Sequence, residues 1–401
     1  MNKDKFAALV SLVWRTGCTK NRKLLPLTTM KKLLVLLLLA LLVPPTAYAQ
    51  DTHAAERLIE FPDIPGYQTL KCDLHLHTVF SDGSVWPNIR VQEALRDGLD
   101  AIAITDHLEY QPHKDDIPHP DRNRSYEIAV ESVGDRDLII LNGSEVTRDM
   151  PPGHSNAIFL KDANKLLIDD SVAVFREVKR QGGFTFWNHP NWTSQKPDGV
   201  AALTDLHRQL IREGLLHGIE VVNNVTYSDE ALQIALDYDL TIIGTSDIHG
   251  LIDWQYNVPY GGHRPITLVF ATERSAAGIQ EALQAGRTTV WFNNTLIGKE
   301  EFLVPLIQAS LTVKEAAYGE NTLVLSVLIE NTSDVAYLLD NQTEYTFHAS
   351  SDVLTIAPHQ TTRLDVKTID RKTSLTLVFE VLNAVTAPGM HPEIALEIEV
   401  K

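Results

Sequence analysis

The chain has 401 residues, with 52 Asp and Glu against 35 Lys and Arg and a formal net charge of −17 at pH 7. This length exceeds what one hydrophobic core usually holds, so two domains are expected. The acidic excess argues against nucleic acid as a docked partner, because its phosphates are neutralised by clustered Lys and Arg.

The first recognisable element is an apolar segment near the N-terminus. Met30 is followed by two lysines, an apolar run up to Val43 and the small-x-small triplet Ala47-Tyr48-Ala49. This order is typical of a secretory signal peptide, and the run is shorter than the roughly 20 residues that span a bilayer. We predict residues 1–49 as a signal region, with translation starting at Met30, cleavage after Ala49 and export to the periplasm or extracellular space. A retained membrane anchor is the alternative.

Short apolar runs then alternate with amphipathic stretches up to about Thr272, a pattern typical of βα units around a parallel sheet. Seven runs are predicted as strands: LKCDLHL, LDAIAIT, DLIILNG, GGFTFWN, GIEVVN, LTIIGTS and ITLVFAT. Apolar residues at three- and four-residue spacing predict helices over 87–97, 171–181, 229–238 and 274–286. Seven strands favour a barrel over an open sheet, so residues 50–296 are predicted as an α/β barrel domain.

Beyond Leu296 the pattern changes to strict alternation of apolar and polar residues. Segments such as NTLVLSVLIEN and SLTLVFEVLN have a period of two, with turn residues between them and no helical pattern. This predicts an antiparallel β-sandwich domain over residues 297–401. The histidines of this tail are scattered, and we interpret them as surface residues.

The stretch LKCDLHLHTVFSDG, residues 70–83, is the first candidate metal site. Alternate side chains of a strand share a face, so His75 and His77 point one way and Cys72 the other. Two imidazoles whose Cα atoms lie ~7 Å apart can converge on one ion. A polar strand edge would show the same pattern, so this motif alone leaves both interpretations open.

Nearly every later strand ends in another side chain of a ligand type, and loops supply two more. These side chains are Asp106, His107, Glu145, His189, Asp247 and His249 at strand ends, with Asp82 and His154 in loops. The C-terminal ends of parallel barrel strands form one rim, so groups that are distant in the chain meet there. So many acids and imidazoles would stay unsatisfied without cations, which favours a centre of two or three metals.

Together these motifs resemble those of the PHP (polymerase and histidinol phosphatase) family. The resemblance covers roughly residues 70–296 and rests on Asp-x-His-x-His-Thr with Ser-Asp-Gly, Thr-Asp-His, Gly-Ser-Glu, His-Pro and Ser-Asp-x-His. It implies a distorted (β/α)7 barrel, in agreement with the seven predicted strands. It also implies three divalent metal ions, commonly Mn, Fe or Zn.

The resemblance also implies which residues of this chain would bind each of the three ions. The three implied groups are His75, His77, Glu145 and Asp247; Glu145, His154 and His189; and Asp82, His107 and His249. Glu145 would bridge the first two ions. Every motif position carries a suitable residue here.

The signal region, the Gly286-Arg287-Thr288 turn and the β-rich tail make the chain similar to secreted PHP members. These include phosphodiesterases of organophosphate diesters and carbaryl-hydrolase-like metalloproteins. We predict a secreted phosphodiesterase of small-molecule phosphate esters, with no nucleic acid partner and no stable membrane anchor. The hypothesis for its chemistry is a hydroxide that bridges two ions ~3.5 to 4 Å apart and attacks phosphorus in line.

Two further residues are candidates for acting on the substrate. His113, in the polar loop after the Thr-Asp-His motif, is a candidate acid, and Arg264, before the last barrel strand, could hold a phosphate oxygen. The alternative interpretations are that His113 is a loop residue without a catalytic role and that Arg264 forms an ion pair on the surface. Trp187 and Trp192 flank His189 and could either wall an apolar pocket or pack in the core.

Other functions stay open at this point. A phosphomonoesterase or a carbamate or carboxylic ester hydrolase would share the same ligands, because these define the nucleophile and not the ester. An amidohydrolase barrel also begins with His-x-His, but it normally needs a carbamylated lysine, which LIILNGSEVT lacks. A metal-dependent binding module, whose tail docks a partner, is the alternative from another class.

Overall fold

The computed structural model describes residues 57–401. The predicted signal region, with its start at Met30 and its cleavage site after Ala49, lies outside the described residues. Among residues 57–401, no helix has the length and apolar character needed to cross a bilayer.

The described chain contains both predicted types of region, first mixed helix and strand and then almost only strand. The helices are α1 Pro87–Arg96, α2 Arg124–Val133, α3 Ser171–Gln181, α4 Asp205–Arg212, α5 Asp229–Asp237, α6 Ile252–Gln255, α7 Ala276–Gln284 and α8 Glu300–Ser310. The strands are β1 Gln68–Asp73, β2 Ala101–Ile104, β3 Ile139–Val146, β4 Ser155–Ile158, β5 Phe184–Trp187, β6 Gly218–Asn223, β7 Thr226–Tyr227, β8 Thr241–Thr245, β9 Ile266–Ala271, β10 Thr288–Phe292, β11 Thr295–Gly298, β12 Leu311–Tyr318, β13 Val324–Asn331, β14 Tyr337–Asn341, β15 Thr346–Phe347, β16 Val353–Ile356, β17 Thr361–Lys367, β18 Ser374–Val381, β19 Ala384–Val385 and β20 Glu393–Glu399.

Local sequence signals set the helix ends. At the start of α3 the Asp170 carboxylate accepts hydrogen bonds from the backbone N–H groups of Val172 and Ala173, and Gly182 ends the helix at a φ of 81°. These caps satisfy backbone groups that a helix leaves unpaired at its termini. The helix predicted over 171–181 is confirmed at both ends.

Strands β1 to β11, together with β19, form one curled sheet covered by helices. The order along the sheet is β19-β11-β10-β9-β1-β2-β3-β4-β5-β6-β7, and β8 also pairs with β6. The sheet curls until β8 meets β9, where the Thr267 hydroxyl donates to the Gly244 carbonyl at 2.8 Å. Only glycine fits at position 244, because an added Cβ would lie 2.2 Å from a methyl of Val290. The predicted α/β class with a distorted barrel is confirmed.

All seven predicted strands are present, as β1, β2, β3, β5, β6, β8 and β9. The expectation of a parallel sheet is wrong at several places, two of which involve the predicted strands directly. Strand β9 runs antiparallel to β1, and an extra strand, β4, lies antiparallel between β3 and β5. A short loop suffices to join antiparallel neighbours, whereas parallel strands need a long crossover. The loop after β3 can therefore turn back at once and place His154 directly before β4.

The chain beyond Leu311 folds into two four-stranded antiparallel sheets, with orders β12-β13-β17-β15 and β16-β14-β18-β20. Every second side chain of β13 is buried, as the period of two predicts. The predicted β-sandwich is therefore confirmed. Helix α8 precedes it and was not expected in this region, and the predicted domain boundary after residue 296 falls inside β11.

The two domains are joined by a shared sheet. Strand β19, which comes from the sandwich domain, pairs in parallel with β11 of the curled sheet. The Asn294 side chain bonds both backbone groups of Ala336, and the Asn383 amide donates to the carbonyls of Asn294 and Ala336 at 2.7 and 3.0 Å. These bonds fix the position of the sandwich against the curled sheet.

Candidate metal centre

The predicted ligands converge on one cavity of about 490 Å³ at the C-terminal ends of the strands. Seven of them line its wall: Asp82, His107, Glu145, His154, His189, Asp247 and His249. The other two, His75 and His77, are fully buried and lie against Asp247. Side chains from across the barrel region therefore meet, as the common rim predicts.

Within residues 57–401, three groups of His, Asp and Glu side chains have ligand atoms within 4.8 Å of one another. They are His77, Asp82, His107 and His249; His75, His77 and Asp247; and His107, Glu145 and His154. These groups overlap with the three implied by the family resemblance but share His77 and His107 between sites. His189 lies outside them, with its Nε2 3.3 Å from Glu145 Oε1. The assignment of ligands to individual ions stays a prediction.

Glu145 stands at the middle of the cluster. Its Oε2 lies 2.7 Å from Nδ1 of His107 and 3.5 Å from Nε2 of His77. Its Oε1 lies 3.0 Å from Nδ1 of His154 and accepts a hydrogen bond from the Asn188 amide at 2.8 Å. One carboxylate thus faces imidazoles on two sides, which is the position that a bridging ligand needs.

The donor set fits divalent metal ions. Among residues 57–401, Asp82 Oδ1, Glu145 Oε2 and Asp247 Oδ1 are buried and have no hydrogen-bond partner. Such oxygens are costly to bury, so they require a positively charged neighbour. Imidazole nitrogens lie 2.7 to 3.1 Å from these oxygens without forming hydrogen bonds to them. Nitrogen and carboxylate oxygen are ligands that Mn, Fe and Zn accept.

The charges of the site favour cations at its centre. Burial opposes a charge on His107, but Glu145 and Asp82 outweigh it and raise the pKa of His107 to about 10. Burial also opposes a charge on Asp82, yet the neighbouring imidazoles of His107 and His249 lower the pKa of that carboxyl. The carboxylates therefore remain ionised and attract positive charge, which divalent ions would supply in place of protons.

Two of the predicted ligands have an uncommon backbone conformation. His189 has a φ of 28° and Asp247 a φ of 47°, and neither is glycine. Such residues cost roughly 1 to 3 kcal/mol each and persist only where their surroundings hold them. The backbone N–H of His189 is held by Glu220 Oε2 at 2.7 Å. These two conformations therefore lower the stability of the fold, and they set the orientation of both side chains.

Glu220 is a functional candidate that the sequence analysis missed. It is fully buried in β6, and its Oε1 accepts from Nδ1 of His75 at 2.8 Å and from the Thr245 hydroxyl at 2.6 Å. A carboxylate behind a metal-binding histidine fixes the tautomer and the orientation of the ring. The available signal was a single glutamate inside the apolar run GIEVVN, where a charged residue needs a partner.

We expect Glu220→Gln to weaken metal binding about 10- to 100-fold, the usual effect of losing such support. Glutamine has the same size as glutamate, but its NH₂ group cannot accept a hydrogen bond. It would therefore face a donor, either the groups of His75 and Thr245 or the backbone N–H of His189. Competition with a chelator measures the affinity, and the exposed change Glu127→Gln on α2 is the matched control. Equal affinities in the two variants would contradict this role.

The two predicted residues for substrate chemistry are not brought to the cavity. The guanidinium of Arg264 is fully buried and pairs with Asp97 Oδ2 at 2.7 Å and Asp73 Oδ2 at 3.2 Å. The alternative of a surface pair is wrong as well, because the pair lies in the core. Burial opposes the charge of Arg264, but Asp97 and Asp73 outweigh it and raise the pKa. A guanidinium held by two buried carboxylates cannot also hold a phosphate.

His113 lies in a turn, where its carbonyl accepts from the backbone of Asp116 and Ile117. It is not among the residues that line the cavity. The two tryptophans separate: Trp187 is buried and stacks on His207 at 4.0 Å, whereas Trp192 lines the cavity beside His189. Packing is therefore the role of the first, and only the second can contact a ligand in the cavity.

Comparisons with known proteins agree with this geometry. A PHP domain model matches residues 73–211, and an Ig-like domain model matches residues 311–397. A crystal structure from Bacteroides vulgatus ATCC 8482 is described as a two-domain protein containing a predicted PHP-like metal-dependent phosphoesterase. It is 42% identical, with a TM-score of 0.79, and the match covers 85% of this chain and 98% of that chain.

A more distant structure is PsfC from Pseudomonas syringae PB-5123. It is 17% identical with a TM-score of 0.41, and the match covers 56% of this chain and 92% of that chain. This similarity is too low to bear on function. No curated protein matches the chain.

Proposed function

Because the chain belongs to the PHP family and carries an Ig-like domain after its PHP domain, we propose that it is an exported, metal-dependent phosphodiesterase of small-molecule phosphate esters. The observation that carries this proposal is the cluster of buried carboxylate oxygens without hydrogen-bond partners, facing imidazoles at the floor of an open cavity. Export is proposed from the sequence of residues 30–49 alone.

The ligand side chains would hold up to three divalent ions, as the resemblance implies. When bound, such ions supply a hydroxide nucleophile at neutral pH and neutralise charge on phosphoryl oxygens. The surrounding residues restrict the motion of the ligand side chains. Glu220 orients His75, the Thr147 hydroxyl forms a hydrogen bond with His107 at 2.7 Å, and the Asn188 amide donates to Glu145. In hydrolysis a P–O bond to water forms, the ester P–O bond breaks, and the leaving oxygen takes up a proton.

The cavity suits an ester of modest size. Its volume lies within the range of roughly 300 to 1,000 Å³ that small-molecule sites occupy. The indole of Trp192, with 43% of its surface exposed, stands beside His154 and His189 at ring-centroid distances of 5.5 and 5.1 Å. It offers an apolar surface to an alkyl or aryl group of the ester while the imidazoles face the phosphate.

A panel of substrates with one chromophore tests the proposal. We expect metal-loaded protein to hydrolyse bis(4-nitrophenyl) phosphate faster than 4-nitrophenyl phosphate, an N-alkyl 4-nitrophenyl carbamate or 4-nitrophenyl acetate. Chelation should remove the activity, re-addition of Mn, Fe or Zn should restore it, and Asp82→Ala should lack it with an unchanged circular dichroism spectrum. A faster monoester or carbamate would favour the alternative hydrolases. Metal binding without any turnover would favour a binding module.

A further inference from the structure

A second cavity, of about 720 Å³, lies beside the metal cavity. Gln255 lines both of them, and Asn224 of the metal cavity is followed directly by Val225 of the second. The wall of the second cavity comes from both domains, because Asp334 and Pro358 belong to the Ig-like domain. Ligand sites occur preferentially at such domain interfaces.

One wall of this second cavity is aromatic and uncharged. The rings of His263 and Trp291 lie face to face, with centroids 3.5 Å apart and planes within 3°. Burial lowers the pKa of His263 to about 4, so its ring is neutral at neutral pH. Its Nδ1 faces the carbonyl of Arg264 at 2.9 Å and must donate there. A neutral aromatic face of this kind favours stacking with another uncharged ring.

The rest of the wall offers hydrogen bonds without a net charge. Arg57 and Asp334 contribute one positive and one negative side chain. The side-chain amides of Asn257 and Asn293 are exposed, and amides both donate and accept. The metal cavity, in contrast, contains three carboxylates and four histidines. The two cavities thus differ in chemistry, and the second is not suited to another phosphate.

The residues between the cavities couple them structurally. The Gln255 amide donates to Asn224 Oδ1 at 2.7 Å, and the Tyr256 hydroxyl donates to the Ser246 carbonyl at 2.8 Å. Ser246 directly precedes Asp247, and Asn223 bonds Asp247 Oδ2 at 3.2 Å. A molecule in the second cavity would therefore lie next to residues that adjoin the metal centre.

We propose that the second cavity is the subsite for the ester group that stays on the phosphate, and that it selects an uncharged ring with hydrogen-bonding substituents. This inference rests on the proposed phosphodiesterase function. A diester has two organic groups on one phosphorus. One group would leave from the metal cavity beside Trp192, and the other would extend past Gln255 to the His263–Trp291 pair. The Ig-like domain would then contribute to substrate selection.

Filling the cavity tests the proposal. Val225 is 62% exposed in the turn between β6 and β7, so Val225→Trp should fold and occupy the space. Two diesters with the same leaving group are compared, phenyl 4-nitrophenyl phosphate and methyl 4-nitrophenyl phosphate. We expect Val225→Trp to raise KM for the phenyl diester about tenfold, the value of one ring contact, and to leave kcat and the methyl diester unchanged. Val353→Trp, at an exposed position of β16, is the matched control.

A binding measurement separates this inference from the proposed function. Phenyl β-D-glucoside carries both an aromatic and a hydroxylated ring but no phosphate, and calorimetry measures its binding to metal-loaded protein. Binding that is lost in Val225→Trp and kept in Val353→Trp supports the subsite, even if neither diester is hydrolysed and the proposed function fails. Unchanged KM values and unchanged glucoside binding in Val225→Trp would overturn the subsite while leaving the phosphodiesterase intact.

Discussion

Glu145→Gln is expected to lower the proposed phosphodiesterase activity by about 10³-fold and to remove at least one equivalent of metal. Both oxygens of Glu145 face imidazoles, and four histidines lie within 3.5 Å of them. Glutamine removes one negative charge and replaces one ligand oxygen with a nitrogen that cannot bind a cation. Several kcal/mol of transition-state stabilisation depend on such ions, and each 1.36 kcal/mol is a factor of ten in rate.

Elemental analysis of gently purified protein and steady-state kinetics measure these two effects. Glu127→Gln, an exposed change on α2, is the control for the purification and the assay. Thermal unfolding in chelator shows whether the metal-free fold is retained. Wild-type metal content together with wild-type kcat would show that Glu145 is not a ligand and would remove the central element of the proposed centre.

Arg264→Met is expected to destabilise the fold by about 3 to 5 kcal/mol, the usual effect of removing one partner of a buried ion pair. The change leaves Asp73 and Asp97 charged in the core without a cation. Asp73 Oδ1 also accepts from the backbone N–H of Ser246 at 3.1 Å, so this network ties β1 to the segment that carries Asp247. Loss of stability should therefore be accompanied by weaker metal binding.

Urea denaturation followed by tryptophan fluorescence measures the free energy of unfolding in chelator, where metal binding makes no contribution. Arg363→Met is the matched control, because Arg363 is 65% exposed and pairs with Asp365 on the sandwich surface. Exposed pairs are worth roughly 0 to 1 kcal/mol. A change of less than about 1 kcal/mol in Arg264→Met would show that the buried network relaxes or is hydrated, contrary to its geometry.

The convergence of the nine candidate ligands was predictable because it follows from two local signals. Each short apolar run predicted a strand, and the polar residue after it marked the strand end. Parallel topology then placed those ends at one rim, so no long-range information was needed for His107 or Asp247. The residues that support the ligands were harder to predict from the sequence, because Glu220 interrupts an apolar run without any motif around it.

Arg264 shows why side-chain roles were harder to predict. An arginine before a strand can point to solvent, to a cavity or to the core, and its neighbours in sequence do not decide among these directions. Its partners are 167 and 191 positions away in the chain. The direction of β9 was equally hidden, because a fully buried strand has the same apolar pattern whether its neighbour is parallel or antiparallel.

The two-residue strand β19 has a consequence for any attempt to express the metal-binding half alone. Its backbone pairs with Leu296 and Ile297 of β11, which would otherwise be the exposed edge strand of a large sheet. Uncovered margins of this kind recruit strands from other molecules and lead to aggregation. A truncated protein that ended after α8 would therefore be prone to self-association. Insolubility of such a fragment would result from the loss of β19 and would not show that the metal-binding domain is unable to fold.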